Sequence, residues 1–426
     1  MRDLHQMAAD SRRAAWDLSA APLERRNAAL LAMAQELEAR KAAIFAANEA
    51  DHTDAAQGGL AAPLLKRLTF GEEKLSAVVD GLRALAELPD PIGQTTLARE
   101  LTEGLTLYRV TCPIGVIGVI FESRPDALVQ IASLALKSGN AVLLKGGREA
   151  LRTNEVLCEA LRDAAASVGL PADFAQLLAS REDVAAMLKE DALIDLIIPR
   201  GSNEFVRYIM DNSRIPVLGH ADGVCHVYVD QAADLEMAVK VAVDSKAQNV
   251  AVCNAAETLL VHKAIAAQFL PMLLPAMQDK GVHLLGDETV QSIIPVEPAT
   301  EADWHTEYLD YILSIRVVDS LEAAIEHINR YGSHHTDCIV TADDAAAATF
   351  LTRVDSAGVY HNVSTRFADG FVYGFGAEVG IATGKLHARG PMGLDGLTTY
   401  KYKLLGNGHL LAEMKSGERQ YTHREL

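Results

Sequence analysis

Apolar residues at the start of the chain recur at helical spacing. From Leu4 to about Ala56 the sequence is dense in Ala, Leu, Glu and Arg, a pattern that predicts two long amphipathic helices. A third helix is predicted over 72–88, because two prolines in the segment 88–93 break regular structure. We expect these helices to pack as one layer against the rest of the chain.

Beyond residue 113, short apolar runs alternate with stretches of helical periodicity. Because parallel strands need crossover connections, this repeated order predicts a parallel sheet that is covered by helices on both faces. The first set of strands is predicted near 116–121, 141–144, 175–178, 193–198 and 224–229. The helices between them are predicted near 126–138, 149–168, 181–189 and 202–213.

The same alternation starts again after Asp230 and predicts a second α/β domain. Its strands are predicted near 257–262, 281–285, 311–318, 337–341 and 357–361, and its helices near 234–245, 263–277, 320–330 and 343–353. Residues 105–111 and 397–404 also have strand-like patterns. No linker rich in Gly or Ser separates the two halves, so we expect a wide interface with a cleft between them.

Composition and charge narrow the function without changing this α/β architecture. The 426 residues are 49% hydrophobic and 23% charged, which is typical of two or three globular domains of about 150 residues each. A net charge of −18 has the wrong sign for following nucleic acid or an anionic membrane. No apolar run approaches the roughly 20 residues that span a bilayer, and the N-terminus has no apolar leader segment. We therefore predict a cytoplasmic protein without nucleic-acid or membrane partners.

Five scattered cysteines without a CxxC pair argue against a disulfide framework and a thiolate zinc site. Cys253 lies in a predicted loop among small residues, where a thiolate nucleophile would be accessible to a substrate. The alternative is a small buried hydrophobe, which is the usual environment of a free cysteine. The remaining cysteines fit that packing role: Cys112, Cys158, Cys225 and Cys338.

Two predicted strand-to-helix turns are rich in glycine. The first reads Lys145-Gly146-Gly147-Arg148, and the second contains Gly201 and Ser202. Backbone N–H groups in such turns can approach a phosphate, and the two cations of the first turn favour an anion. The glycines are equally explained by the conformation of a tight turn, and Ser202 by a helix N-cap, since the GxGxxG fingerprint is absent.

Two groups of histidines along the chain are candidate metal ligands. His327, His334 and His335 make up one, and His220 and His226 the other, but neither group has HExxH or CxxC spacing. We therefore predict no metal site.

Arg124 and Arg366 each follow a predicted strand and lie in a loop. A guanidinium there would clamp a carboxylate or phosphate with two parallel hydrogen bonds. A solvated surface charge is the alternative, and the sequence leaves both open.

Segments along nearly the whole chain resemble the aldehyde dehydrogenase superfamily, and within it the reductases that act on glutamyl phosphate. The segments are 113–126, 218–223, 248–257, 307–310, 327–337, 364–367 and 390–394, and the stretch 318–339 is the most specific. The resemblance implies an aldehyde-dehydrogenase-like fold of two Rossmann-like parallel-sheet α/β domains with a small oligomerisation hairpin and strand. The implied boundaries are 1–97 and 113–235 for the cofactor-binding domain, 236–365 for the catalytic domain with the nucleophilic cysteine, 98–112 and 390–426 for the oligomerisation element, and 366–389 for an active-site loop region.

The reaction implied by the resemblance is NADPH-dependent reduction of L-glutamyl 5-phosphate to L-glutamate 5-semialdehyde and phosphate, in proline biosynthesis. A Cys253 thiolate would attack the acyl phosphate, and the resulting thioester would accept hydride and release the aldehyde. Oxidising members of the superfamily activate a hydrolytic water with the glutamate of an ELGGK motif. The corresponding segment here, 214–230, contains no Glu, which favours reduction.

The resemblance also implies roles for single residues. Relatives place an oxyanion-donating Asn where this chain has Ser123, and NAD-using relatives have Lys followed by Glu where it has Lys145 followed by Arg148. A guanidinium attracts the 2′-phosphate that a carboxylate repels, so this pair points to NADPH. The implied site comprises Cys253 and Ser123 in catalysis, Lys145, Gly146, Gly147, Arg148, Gly201, Ser202 and Glu307 in cofactor binding, and Arg124, Asn254 and Arg366 in substrate binding.

Two alternative functions stay open at this point. One is an NAD-dependent oxidising aldehyde dehydrogenase, which the missing glutamate disfavours. The other is a catalytically silent assembly protein on the same fold, because a fold does not determine a function. As partners, the resemblance implies further copies of the chain, in a homodimer or homotetramer, and a functional link to a glutamate kinase.

Overall fold

The computed structural model describes residues 3–426 except 123, 202, 221 and 376. Its first helices are α1 (Leu4–Ala20), α2 (Leu23–Ala39), α3 (Lys41–Gln57), α4 (Ala62–Leu68) and α5 (Glu72–Glu87). The prediction of two helices before residue 56 is wrong, because α1, α2 and α3 share that stretch. Pro22 separates the first two. Arg40 separates the second and third with a ψ of 9°, and no Gly or Pro marks that break in the sequence.

A parallel sheet forms after a hairpin of β1 (Thr95–Thr102) and β2 (Leu105–Pro113). Its strands are β3 (Val116–Ile120), β4 (Ala141–Lys145), β5 (Ala175–Leu177) and β6 (Leu196–Pro199), in the order β5-β4-β3-β6. The connecting helices are α6 (Pro125–Lys137), α7 (Leu151–Ser167) and α8 (Arg181–Met187), and α9 (Asn203–Asn212) follows β6. Ile117 and Val119 are buried against α2, α6 and α7, whereas Val116 and Ile120 are buried against α1 and α8. Alternate residues of β3 therefore face opposite helix layers.

A second parallel sheet has the order β10-β9-β11-β8-β7-β12-β13. Its strands are β7 (Cys225–Val229), β8 (Ala256–His262), β9 (His283–Gly286), β10 (Glu297–Pro298), β11 (Ile312–Val318), β12 (Thr336–Val340) and β13 (Gly358–His361). Its helices are α10 (Leu235–Ala247), α11 (Lys263–Asp279), α12 (Glu288–Ile293), α13 (Leu321–Tyr331) and α14 (Asp344–Arg353). One face packs against α10 and α11 and the other against α13 and α14. Every strand and helix predicted between 116 and 361 is thus confirmed to within a few residues.

The C-terminal part adds β14 (Ile381–Ala382), β15 (Gly390–Pro391), β16 (Thr398–Leu405), α15 (Leu411–Ser416) and β17 (Arg424–Glu425). Strands β14 and β15 pair with each other, and an antiparallel sheet joins β16 and β17 to the hairpin in the order β16-β2-β1-β17. The predicted late strand is β16. Periodicity did not predict β1, because its Thr, Arg and Glu side chains mask the strand pattern, but the family resemblance implied the hairpin to which β1 belongs. The assignment of cofactor-binding, catalytic and oligomerisation roles to these parts stays a prediction. Among the described residues, no helix is both long enough and apolar enough to cross a membrane.

Candidate active site

The loop that carries Cys253 lies between α10 and β8 and is fixed by contacts on several sides. The Cys253 carbonyl accepts a hydrogen bond from Cys225 Sγ at 3.2 Å. Asn254 Nδ2 donates to the Ala368 carbonyl at 2.9 Å, and the Asn254 carbonyl accepts from Thr365 Oγ1 at 2.7 Å. A Cβ at Gly223 would lie 2.6 Å from Cys253 Cα, so only glycine allows this approach. These contacts fix the cysteine at the start of β8, beside the start of its neighbour β7.

A buried ion pair holds the two elements that flank this loop. Lys246 of α10 and Glu257 of β8 are both fully buried, and Lys246 Nζ lies 2.5 Å from Glu257 Oε2. Burial raises the pKa of Glu257 to about 7 despite the opposing effect of Lys246. The pair joins the end of α10 to the start of β8, and the nucleophile lies between them.

Lys246→Met is expected to destabilise the protein by about 3–5 kcal/mol, because it leaves the Glu257 carboxylate buried and unpaired. Protonation would relieve that cost. Without Lys246 the pKa of Glu257, already raised to about 7 by burial, rises further above its unfolded value. The stability loss relative to wild type should therefore grow as pH rises above about 7 and shrink in acid. Thermal denaturation at acidic and alkaline pH measures both effects.

Lys263→Met is the matched control for that variant. Its pair with Asp319, at 2.8 Å, is exposed and screened by solvent, so its loss should change stability far less. Equal losses of stability in the two variants would contradict the role given to the buried pair.

The Cys253 thiol is half-buried and resists ionisation. Burial raises its pKa to about 12, and the nearby carboxyl groups of Glu307 and Glu378 act in the same direction, while Arg200 opposes them. Glu307 Oε2 accepts from Asn203 Nδ2 at 2.8 Å, and Glu378 Oε2 accepts from the Gly370 N–H at 3.0 Å. The resting group is therefore a thiol rather than a thiolate.

Arg200 is a site residue that the sequence analysis did not single out. It follows β6 directly, its backbone N–H donates to the Ile120 carbonyl at 2.6 Å, and its side chain lies within electrostatic reach of Cys253 and Glu378. Burial, reinforced by the neighbouring charge of Arg124, lowers the pKa of its guanidinium. A cation held in such a place is suited to an anionic ligand. The signal was its position in the second glycine turn, where only Gly201 and Ser202 had been weighed.

The two arginines predicted to bind substrate are in different environments. Arg124 is 46% exposed, and its Nη2 is 2.8 Å from Asp126 Oδ2. Arg366 is partly buried, and burial lowers the pKa of its guanidinium. The negative charge of a Cys253 thiolate would act in the opposite direction. Arg366 Nε donates to Gln248 Oε1 at 2.9 Å. Arg366 therefore lies within electrostatic reach of the nucleophile, and the substrate role of both arginines stays a prediction.

Two histidines from distant parts of the sequence lie beside the nucleophile. Donor atoms of His220, Cys253 and His335 all lie within 4.8 Å of one another, and the two rings meet edge to face with centroids 4.9 Å apart. His220 precedes β7, Cys253 precedes β8 and His335 precedes β12, and these are adjacent strands of the second sheet. The sequence analysis weighed these histidines only as metal ligands and did not place them at Cys253.

A cavity of about 590 Å³ lies at the carboxyl ends of β3 and β4, where α/β sheets bind their ligands. A Cβ at Gly146 would lie 2.3 Å from Asn154 Nδ2, so a larger residue in this turn would displace the Asn154 side chain. Burial and the Glu149 charge raise the pKa of Glu122, another lining group. All four residues of the first predicted turn line the cavity: Lys145, Gly146, Gly147 and Arg148.

Other predicted cofactor residues lie elsewhere or cannot be placed. Glu307 faces Cys253 and does not line the described part of this cavity. A Cβ at Gly201 would lie 3.2 Å from the Glu122 carboxyl group, so this glycine borders the cavity wall. The predicted roles of Ser123 and Ser202 concern positions outside the described residues. Asn254 is buried, and its Nδ2 donates a hydrogen bond to the Ala368 carbonyl. This side chain therefore has a structural contact in addition to its predicted substrate role.

Comparisons with known proteins agree with this architecture. The sequence profile of the aldehyde dehydrogenase family matches residues 1–292. The gamma-glutamyl phosphate reductase of Acetivibrio thermocellus is 58% identical over 423 residues, which cover 99% of this chain and 98% of that protein. The crystal structure of gamma-glutamyl phosphate reductase from Thermotoga maritima is 40% identical, covers 96% of this chain and 100% of its own, and superposes with a TM-score of 0.94. The chain therefore belongs to the aldehyde dehydrogenase family, and within it to the gamma-glutamyl phosphate reductases.

Proposed function

We propose that this oxidoreductase reduces L-glutamyl 5-phosphate to L-glutamate 5-semialdehyde and phosphate, with NADPH as the electron donor. The observation that carries the proposal is the position of Cys253, a half-buried thiol that precedes β8 of the second sheet and lies within electrostatic reach of Arg200, which follows β6 of the first sheet. The names of relatives that are more than half identical over the full chain support the substrate. The reaction belongs to proline biosynthesis, and its acyl phosphate is the product of a glutamate kinase.

The proposed chemistry uses the Cys253 thiol and the nearby Arg200 guanidinium. Cys253 Sγ attacks the acyl carbon, the carbon–oxygen bond to phosphate breaks, and a thioester forms. Bound NADPH supplies the hydride that reduces this thioester. The thiohemiacetal then collapses to the aldehyde and the Cys253 thiolate, and a proton from solvent restores the thiol. Arg200 is suited to hold the phosphate in place and to stabilise the negative charge on the leaving oxygen.

Reduction is favoured over oxidation because the segment 214–230 lacks the glutamate of oxidising relatives. The site is not free of carboxyl groups, since Glu307 and Glu378 both lie near Cys253. Each is engaged, however: Glu307 by the Asn203 side chain and Glu378 by the Gly370 backbone. The argument for reduction therefore rests on the missing glutamate and on the relatives, and not on an absence of acidic groups.

The residues of the cavity fit NADPH as the cofactor. The glycines at 146 and 147 bring backbone close to a phosphate, and Lys145 and Arg148 add two positive charges at its edge. Arg148 is exposed at the cavity and suits the 2′-phosphate. Glu122 and Glu149 also line the cavity and would interact with neutral hydroxyl groups.

Arg148→Glu is expected to raise the Michaelis constant for NADPH by about 10- to 150-fold, because a lost charge-assisted contact costs roughly 1.5–3 kcal/mol. The constant for NADH should change little, since NADH has no 2′-phosphate. Steady-state kinetics with both cofactors measures the ratio. As a control, Arg214→Glu reverses the charge of an exposed arginine that does not line the described part of the cavity. It should leave the ratio of the two Michaelis constants unchanged. Parallel changes for the two cofactors would remove Arg148 from the 2′-phosphate site.

The proposed homo-oligomer is supported by the antiparallel sheet. Its edge strand β16 exposes a row of apolar and aromatic side chains, Tyr400, Tyr402, Leu404 and Leu405. An unpaired edge of this kind is suited to association with a second copy. A homodimer and a homotetramer both fit this feature.

The direct test generates glutamyl phosphate in place with ATP and a glutamate kinase and follows NADPH oxidation. We expect oxidation only when kinase, ATP and this protein are all present. In the reverse direction, semialdehyde and NADP⁺ should give steady turnover only with phosphate. Steady oxidation without phosphate would instead identify a hydrolytic aldehyde dehydrogenase, and inactivity in both directions would favour a silent assembly protein.

A further inference from the structure

The proposed reaction requires removal of a proton that Cys253 holds firmly. Burial and two neighbouring carboxyl groups keep the resting group as a thiol, yet thiolates and not thiols attack acyl carbons. A base must therefore act as the thiol attacks. The donor atoms of His220 and His335 lie within 4.8 Å of Cys253 Sγ and of each other, so geometry makes these two histidines the candidates among the described residues.

We propose that His220 accepts the Sγ proton of Cys253 as the thiol attacks the acyl phosphate, and passes it to the departing phosphate oxygen. The inference rests on the proposed function and assigns to it a base that spacing along the sequence does not reveal. His220 lies in the segment 214–230, which lacks a glutamate base.

The tautomer of His220 is set by its backbone partner. Nδ1 lies 2.8 Å from the Ile381 carbonyl oxygen, and a carbonyl can only accept. Nδ1 must therefore carry the proton, which leaves the lone pair of the neutral ring on Nε2. A nucleophile, a base and a third group that orients the base form the usual activated set. The donor atoms of His220 and Cys253 lie within 4.8 Å of each other. This limit exceeds a hydrogen-bond length, but contacts between a nucleophile and its base are often long before substrate binds.

His335 does not meet the same requirements. It is fully buried, its Nε2 has no hydrogen-bond partner among the described residues, and burial holds its pKa well below the ordinary value. Its Nδ1 faces Thr336 Oγ1 at 3.0 Å, and a hydroxyl can donate or accept, so no tautomer is imposed. His335 instead packs edge to face against His220 and limits the rotation of that ring.

The charges around His220 and Cys253 favour a proton transfer that occurs only during the attack. Burial lowers the pKa of His220, Arg200 lowers it further and Asp222 opposes this. Around Cys253, Glu307 and Glu378 disfavour the thiolate, whereas Arg200 and Arg366 favour it. Because neither imidazolium nor thiolate is favoured at rest, the proton moves together with the attack. One proton leaves Sγ, one bond forms from sulfur to the acyl carbon, the bond to the phosphate oxygen breaks, and that oxygen receives the proton.

The test measures alkylation of Cys253 by iodoacetamide against pH, with the site quantified by peptide mass spectrometry. His220→Asn keeps a donor for the Ile381 carbonyl and removes the base. We expect its alkylation near neutral pH to be at least about tenfold slower than wild type, with the difference disappearing at a pH high enough to ionise the thiol directly. His335→Asn is the matched control and should lose less.

Alkylation needs neither acyl phosphate nor NADPH, so a failure of the proposed function would leave this result unaffected. Equal rates for wild type and His220→Asn across the pH range would overturn the inference, as would an equal loss in both asparagine variants. A second measurement separates a base from a structural residue. Added imidazole should speed alkylation in His220→Ala but not in wild type, and no rescue together with a lowered melting temperature would indicate a structural residue instead.

Discussion

Cys253→Ala is expected to lower the rate of reduction by more than about 10³-fold while leaving the fold intact, because no other described group can form the thioester. Alanine is smaller than cysteine, so it introduces no clash in the loop. The contact with Cys225 uses the backbone carbonyl of residue 253 and survives the change. Initial rates of NADPH oxidation and the melting temperature, measured together, separate chemistry from folding.

Cys338→Ala is the control for that experiment. Cys338 is fully buried in β12, so its loss should affect stability more than turnover. If Cys253→Ala retained more than a few per cent of wild-type turnover, the covalent mechanism would be wrong. If Cys338→Ala abolished turnover at an unchanged melting temperature, the assignment of the nucleophile would have to be reconsidered.

Arg200→Gln is expected to raise the Michaelis constant for phosphate in the reverse reaction by about 10- to 150-fold. The estimate corresponds to one lost charge-assisted hydrogen bond of roughly 1.5–3 kcal/mol. Arg200→Lys should also weaken binding, since an ammonium does not reproduce the planar guanidinium. The melting temperature should not fall, because the variant removes a partly buried charge whose described neighbours give it no ion pair.

Arg124→Gln is the comparison for Arg200. Arg124 is more exposed and is paired with Asp126, so its effect on the phosphate constant should be smaller. A larger effect at Arg124 than at Arg200 would return the main anion contact to the residue favoured by the sequence analysis. Unchanged constants in both variants would leave Arg366 as the remaining candidate.

The sequence predicted the two parallel sheets well because their strands are buried on both faces and alternate regularly with helices. Periodicity alone failed at Arg40, where the chain leaves the helix without a proline or glycine, and at β1, whose side chains are largely polar and whose hairpin only the family resemblance implied. In these places the local pattern contains no signal, and packing against other elements decides the structure.

The location of a candidate residue was predictable where it depends on a local motif and not where it depends on strand order. The turn at 145–148 was identified from its glycines and cations, and it lines the cavity. His220 and His335 are far apart in sequence and meet only because β7 and β12 are neighbours in the sheet. Spacing alone could not show this. Arg200 was overlooked because its turn was considered for its glycine and serine rather than for its charge.

The central claim is that Cys253 carries the acyl group, and a pre-steady-state measurement tests it most directly. Enzyme is mixed with semialdehyde and NADP⁺ in the absence of phosphate, and NADPH formation is followed by absorbance. The account predicts a burst of one NADPH per active site, an acyl adduct on the Cys253 peptide after acid quench, and release of that adduct when phosphate is added. No burst and no adduct without phosphate, from an enzyme that turns over when phosphate is present, would contradict it.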